Sequence, residues 1–333
     1  MKSKMLATLA IAMMICCGTA QAQWPNNTYG NPIGWEVEVG TRLMERPGTD
    51  NAFPLVTLEP TLVTAFDGED ASDLDFSAGV DFRFLKSTDY GTAWEIRGFF
   101  NNWDNFESRF GTLSAPAFTP AALPAGSFPS TFDYLYESEL FSLELNYRTS
   151  IRPGITAYIG PRFAYLNEDV VIDSTFNSPP IPPAVFQFDL ESITRTTNRL
   201  PGLGIGLEFR RPLLRDLFFV GNIRGAVLAN FASTRTETNG TPVVGGAAGP
   251  TVNALIFEDT ATNVAGIGEV GGRLHWDIAP GTVSLYAGYE AIWLDGVGLG
   301  PTQLLESVSP PVSLNTSTTA VSHGLVFGSL IRF

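Results

Sequence analysis

Ten separate segments of this 333-residue chain alternate apolar and polar residues with a period of two. That pattern commits a chain to β-strands, because successive side chains of a strand leave on opposite faces. The segments are Gly34–Leu43, Leu74–Phe84, Trp94–Phe100, Phe141–Arg148, Ile155–Tyr165, Leu203–Arg210, Phe219–Val227, Val270–Asp277, Val283–Trp293 and Val326–Phe333. Between them, tight connections (Lys86–Gly91, Thr149–Gly154, Arg211–Asp216, Ala279–Thr282) alternate with long ones (Met44–Asp73, Glu107–Phe132, Asp173–Val185, Ser233–Asp259, Asp295–Thr318). Strict short–long alternation is the connectivity of an up-and-down antiparallel barrel with loops on one side of a membrane and turns on the other. The segment Leu55–Phe66 is read as part of the first loop. Were it paired with another segment, the barrel would have twelve strands.

Period two alone does not separate a soluble sandwich from a membrane barrel. The polar face does, since it holds Gly with mixed Arg and Glu where a water-facing sheet would hold Lys, Thr and Ser. Apolar residues then face lipid, and the charges face a lumen. Phe84, Trp94, Tyr147, Phe209, Phe219, Trp276 and Phe333 fall on the apolar face near short turns or the chain end. Tyr165, Phe231 and Trp293 fall near long loops, so two interfacial aromatic girdles are expected.

The chain begins with basic Met1–Lys4, an apolar run Met5–Ile15 and the small-x-small site Ala20-Gln21-Ala22, which predicts a secretory leader, residues 1–22, and a barrel from 23 to 333. Cys16 and Cys17 lie inside the leader, and Met14-Ile15-Cys16 before Cys17 lacks the small residues of a lipoprotein site. A mature chain without cysteine has no disulfide, thiol nucleophile or thiolate metal site. It carries 18 basic residues, of which only Lys86 is Lys, against 34 acidic ones. That balance argues against nucleic acid as a partner. The last strand ends on Phe333, which resembles the tag read by the barrel-assembly machinery. The partners expected are therefore that machinery and outer-membrane lipid; a homo-oligomer is compatible with the sequence.

The stretches Trp94-Glu95-Ile96-Arg97-Gly98-Phe99-Phe100, Glu144-Leu145-Asn146-Tyr147-Arg148 and Gly160-Pro161-Arg162-Phe163-Ala164-Tyr165-Leu166-Asn167-Glu168 resemble strands of the Legionella-type pore-forming outer-membrane proteins and the planctomycete outer-membrane barrel porins. The resemblance implies a sheet barrel in the outer membrane, a pore-like role and no catalytic residue.

The polar face brings one set of charges together. Arg83, Arg97, Arg148, Arg162, Arg210, Arg224, Arg273 and Arg332 share it with Asp81, Glu95, Glu144, Glu208, Glu269, Asp277 and Glu290. Arginines opposite acids set up a transverse field that selects ions in an open pore. The same side chains also suffice to fill a barrel of about ten strands. Two functions follow: passive passage of small solutes or ions through a narrow charged lumen, or a filled barrel acting as surface anchor or adhesin through Pro-rich loops (Ser114–Pro129, Ser178–Pro183). A lipid hydrolase is a third, since His323 has Ser322 and Ser317 nearby in sequence; His275 reads as a lumen residue. No cofactor or metal is expected: the acids Asp67–Asp70, Asp73, Glu258 and Asp259 read as solvated loop residues, and Gly202-x-Gly204-x-Gly206 and Gly266-x-Gly268 as a lumen-facing glycine row.

Overall fold

The structure is a computed structural model and describes residues 34–48, 54–58, 63–67, 73–88, 91–110, 113–114, 128–177, 186–244, 247–248, 252–307 and 313–333. The expected leader, residues 68–70 of the first acidic run, most of Ser114–Pro129 and all of Ser178–Pro183 lie outside the described residues.

The strands are β1 (Trp35–Arg46), β2 (Pro54–Leu58), β3 (Val63–Asp67), β4 (Leu74–Ser87), β5 (Thr92–Phe110), β6 (Leu113–Ser114), β7 (Phe128–Arg152), β8 (Ile155–Asn177), β9 (Phe186–Leu214), β10 (Leu217–Val244), β11 (Ala247–Ala248), β12 (Val252–Ala279), β13 (Val283–Val297) and β14 (Thr318–Arg332). One helix, α1 (Gly300–Ser307), lies between the last two strands. Ten of the strands, β1, β4, β5, β7, β8, β9, β10, β12, β13 and β14, pair with their sequence neighbours, all antiparallel. The ring shuts where β14 pairs β1, from Glu36↔Arg332 to Glu45↔His323. At its end, Trp35 and Phe333 exchange both backbone hydrogen bonds, at 2.7 and 3.0 Å. A closed ring has no free edge, so every wall strand pairs on both sides. All ten predicted segments are wall strands, and the fold is a transmembrane up-and-down barrel of ten.

Leu55–Phe66 is not an eleventh and twelfth wall strand. Its halves, β2 and β3, pair with each other, and β2 also pairs with β6, in a separate small sheet. Pro54, the first residue of β2, fits a short accessory sheet better than a central wall, where a missing N–H would break the ladder.

Along the exterior, side-chain chemistry changes abruptly. On β9 the outward positions run Glu191, Arg195, Arg199 and then Leu203, Ile205, Leu207, Phe209. On β7 Glu137 and Glu139 give way to Phe141, Leu143, Leu145 and Tyr147; on β8 Asp169 and Asn167 give way to Tyr165, Phe163 and Ile159. Val264 and Val227, on the same belt, are 73% and 69% exposed. The belt is about ten residues tall, the length a tilted strand needs to cross hydrocarbon. The girdle residues flank it: Trp94 meets Tyr147 edge-on at 5.4 Å and Phe209 meets Phe219 at 5.6 Å on the turn side, while Phe231 and Trp293 stand on the loop side.

The strands outrun the belt, which corrects the expected long loops. β9, β10 and β12 have 29, 28 and 28 residues; Asp173–Asn177 of the expected loop Asp173–Val185 and most of Ser233–Asp259 are strand. There the inward row is Ser192, Thr194, Thr196 and Asn198. Its hydroxyls bond across the ladder as Thr194–Thr236 (2.9 Å) and Thr196–Thr234 (3.2 Å). Threonine suits a pleated surface, and cross-strand hydroxyl pairs keep two polar-faced strands together.

The charged lumen and its apolar cap

Inward-facing side chains fill the barrel in two tiers. The tier toward the short turns is ionic. Arg97, Arg148, Arg162, Arg224, Arg273 and Arg332 are buried there with Asp81, Glu95, Glu144, Glu269 and Glu290; Arg83, Glu208 and Asp277 are half-buried. Strand register builds the pairs: Glu144 lies opposite both Arg97 and Arg162, Arg224 opposite Glu269, and Glu38 opposite Arg83.

Arg273 is the hub, bonding Glu38, Asp81 (2.8 Å) and Glu290 (2.6 Å). Arg83 reaches Glu38 (2.9 Å), Glu208 (3.3 Å), Glu36 (3.7 Å) and Glu95 (4.0 Å). Arg148 joins Glu95 and Glu208 (2.9 Å), Arg162 joins Glu144 (3.1 Å) and Glu269, and Arg97 joins Asp81 and Glu290. Arg224 meets Glu269 at 3.6 Å, and Arg332 meets Glu36 and Asp277. Arg210 stands apart: it is exposed at the mouth, with its guanidinium 4.3 Å over the Phe218 ring and no carboxylate in pairing range among the described residues.

Three members were not in the predicted set. Glu36, Glu38 and Arg42 are buried in the same tier, and Arg42, fully buried, bonds Glu290 and lies 4.1 Å over the Phe99 ring. The signal was present, since all three share the polar phase of the first strand. With them the tier holds eight paired arginines and nine carboxylates, and Arg210 at the mouth brings the formal charge of these lumen groups to zero. An isolated ion in a low-dielectric interior is costly, and mutual pairing is what lets so many charges lie there.

Of the predicted glycine row, Gly202, Gly204 and Gly206 face this tier; a Cβ on Gly206 would enter the Tyr158 ring. Gly266 and Gly268 do not. Even-numbered residues of β12 point outward, and Gly268 lies under the outward Trp293 ring.

The second tier, toward the loops, is apolar. Met44, Leu74, Phe99, Trp103, Phe132, Tyr134, Tyr136, Leu166, Val170 and Leu294 pack across the bore with Leu299 and Leu304, all almost completely buried. Leu299 and Leu304 belong to the inward turn that ends in α1. Three asparagines on adjacent strands clasp it. Asn198 bonds both the carbonyl (2.8 Å) and the N–H (2.9 Å) of Gly298, while Asn230 and Asn263 each donate to the Gly296 carbonyl at 2.9 Å. Gly296 has φ +76, a left-handed conformation that glycine takes without strain. Glu168 accepts from the first N–H of α1 (2.5 Å) and holds Arg46 at 2.6 Å, a second buried pair that the sequence reading did not reach.

The histidines fall on opposite sides of the wall. His275 is buried in the ionic tier and stacks on Tyr286 at 5.2 Å. His323 faces outward and bonds the Tyr289 hydroxyl at 2.7 Å. Ser322 points into the barrel and Ser317 donates to Asn315, so neither supplies the serine partner that a hydrolase at His323 requires. Glu258 pairs with Arg235 and Asp259 accepts from the Leu314 N–H, so both are strand residues engaged in the wall.

No family model and no curated protein matches the chain. Among solved structures, the outer membrane protease OmpT from Escherichia coli aligns over 92% of this chain and all of its own, at 9% identity and TM-score 0.44. The translocator domain of autotransporter NalP from Neisseria meningitidis aligns over 100% and 96% at 8% identity and TM-score 0.28. A Pseudomonas aeruginosa FadL homologue covers 90% of each chain at 8% identity and TM-score 0.25. Likenesses this distant carry no argument about activity; the ten-strand ring rests on its own closed register.

Proposed function

We propose that this chain is an outer-membrane barrel sealed by its own side chains, which anchors a tall polar wall at the cell surface. One observation carries the reading: a mutually paired ionic tier lies in series with a buried, mainly apolar tier, so a solute meets salt bridges and then packed side chains. Eight strands leave room only for side chains and 16 or more leave a channel, so ten strands with this filling sit at the closed end of the range. The leader-like start, the apolar belt and the terminal aromatic strand, fit to be read by the assembly machinery, support the location.

A second reading, passage of small ions, is favoured by polar atoms of the ionic tier that have no protein partner. These include Arg42 Nε and Nη1, Tyr158 Oη, Tyr286 Oη and His275 Nε2, groups that water would satisfy. Planar-bilayer recording separates the two. A sealed barrel gives no discrete conductance steps, and neutralising Arg148 or Arg162 changes stability alone. Steps whose ion selectivity shifts on those substitutions would replace sealing with diffusion.

A further inference from the structure

The two ends of the wall differ in charge outside the lumen. Beyond the belt on the loop side, outward positions are mainly acidic, with Asp104, Glu137, Glu139, Asp173 and Glu191 among them. On the turn side, the described rim residues include four cations, Lys86, Arg152, Arg211 and Arg215, against Asp216, and none of the four is ion-paired among the described residues.

Each cation stands beside an apolar group that also points away from the lumen. Lys86 lies 4.3 Å over the Trp35 ring. Arg211 is the ladder partner of the girdle residue Phe219. Arg152 follows Ile151, and Arg215 follows Leu214, which is 70% exposed. In water these aliphatic side chains would be solvated at a cost. At a membrane surface they enter the acyl boundary while the neighbouring guanidinium or ammonium group stays at the headgroups.

We infer that this rim is a binding surface for anionic phospholipid headgroups, phosphodiester-bearing lipids of the leaflet on the turn side. A soluble anion would answer the charges but leave the leucines and isoleucine exposed; a leaflet lipid answers both. A basic residue near an anionic surface contributes roughly 1 kcal/mol, and an arginine adds a geometry suited to phosphate oxygens. The inference rests on the membrane reading above.

The test uses the refolded full-length protein in vesicles of brominated phosphatidylglycerol or brominated phosphatidylcholine, with quenching of intrinsic tryptophan reporting which lipid occupies the annulus. The wild type favours phosphatidylglycerol by about fivefold, a preference that falls with salt. The variant K86Q/R152Q/R211Q/R215Q shows equal affinity for both lipids while keeping its heat-modifiable gel migration. Equal affinity in the wild type, or an undiminished preference in the variant, overturns the inference. Failure to enter either vesicle overturns the membrane reading instead.

Discussion

Replacing Arg162 by Met destabilises the barrel more than replacing Arg273 by Met, although Arg273 makes more ion pairs. The cost of deleting one partner of a buried pair is dominated by the charge left behind, about 3–5 kcal/mol when that charge has no other counterion. Without Arg273, each of its acids keeps an arginine: Glu38 keeps Arg83 at 2.9 Å, Asp81 keeps Arg97 at 3.7 Å, and Glu290 keeps Arg42 and Arg97. Without Arg162, Glu269 keeps Arg224 at 3.6 Å, but Glu144 has no arginine left within ion-pair distance among the described residues and keeps the Asn146 amide at 2.9 Å, with Arg97 farther off across the ladder. Methionine fills much of the arginine volume in both variants, so the cavity contribution is similar. We expect a loss of about 3–5 kcal/mol for R162M and roughly half that for R273M. Urea unfolding in detergent micelles, followed by tryptophan emission, measures both. A loss for R273M equal to or above that for R162M would falsify the argument that stranded charge, not pair number, sets the cost.

Asn198→Ala removes both bonds to Gly298 and frees the inward turn, costing roughly 1–3 kcal/mol locally, seen as faster proteolysis within 298–317 at unchanged global unfolding. On the outer wall, Asp133, Asp173 and Glu191 are ladder neighbours on three strands; partial burial first, then Glu191 and Asp133, hold the Asp173 carboxyl above its usual range. Because the folded value exceeds the unfolded one, near 3.9, this site weakens the wall as pH rises from about 4 through that raised value. Protection of the β7–β8–β9 tips against hydrogen exchange, corrected for the intrinsic base-catalysed rate, therefore falls between acid and neutral pH, and D173N removes most of that fall.

Ten strands, their faces and the turn positions were legible because the membrane forces one face apolar over a fixed length. Where that force ends, legibility ends too. Ser192 to Asn198 is polar on its inward face and mixes Ile193 with Arg195 and Thr197 on the other, which leaves no apolar alternation to read in the sequence, yet hydroxyl pairing keeps it a strand. The same boundary hid the Arg46–Glu168 pair and the apolar tier, since Trp103, Phe132 and Tyr134 lie beyond the segments where alternation is clean. Glu36, Glu38 and Arg42 were within reach, because phase alone puts them beside Arg83. No local signal marks the inward turn after β13, whose clasp joins residues about 30 to 100 positions apart.

The unequal strand lengths shape what the surroundings meet. β7 through β12 carry the long wall strands, whereas β1, β4, β13 and β14 stop at 12 to 15 residues. The fifteen residues from Phe186 to Leu200 rise about 50 Å along β9, or roughly 38 Å along the axis at a tilt near 40°. Among the described wall strands, the rim is thus a parapet with one low side. A tag spliced into the β10–β12 crest would therefore stand farther from the bilayer than the same tag placed at the upper end of β14.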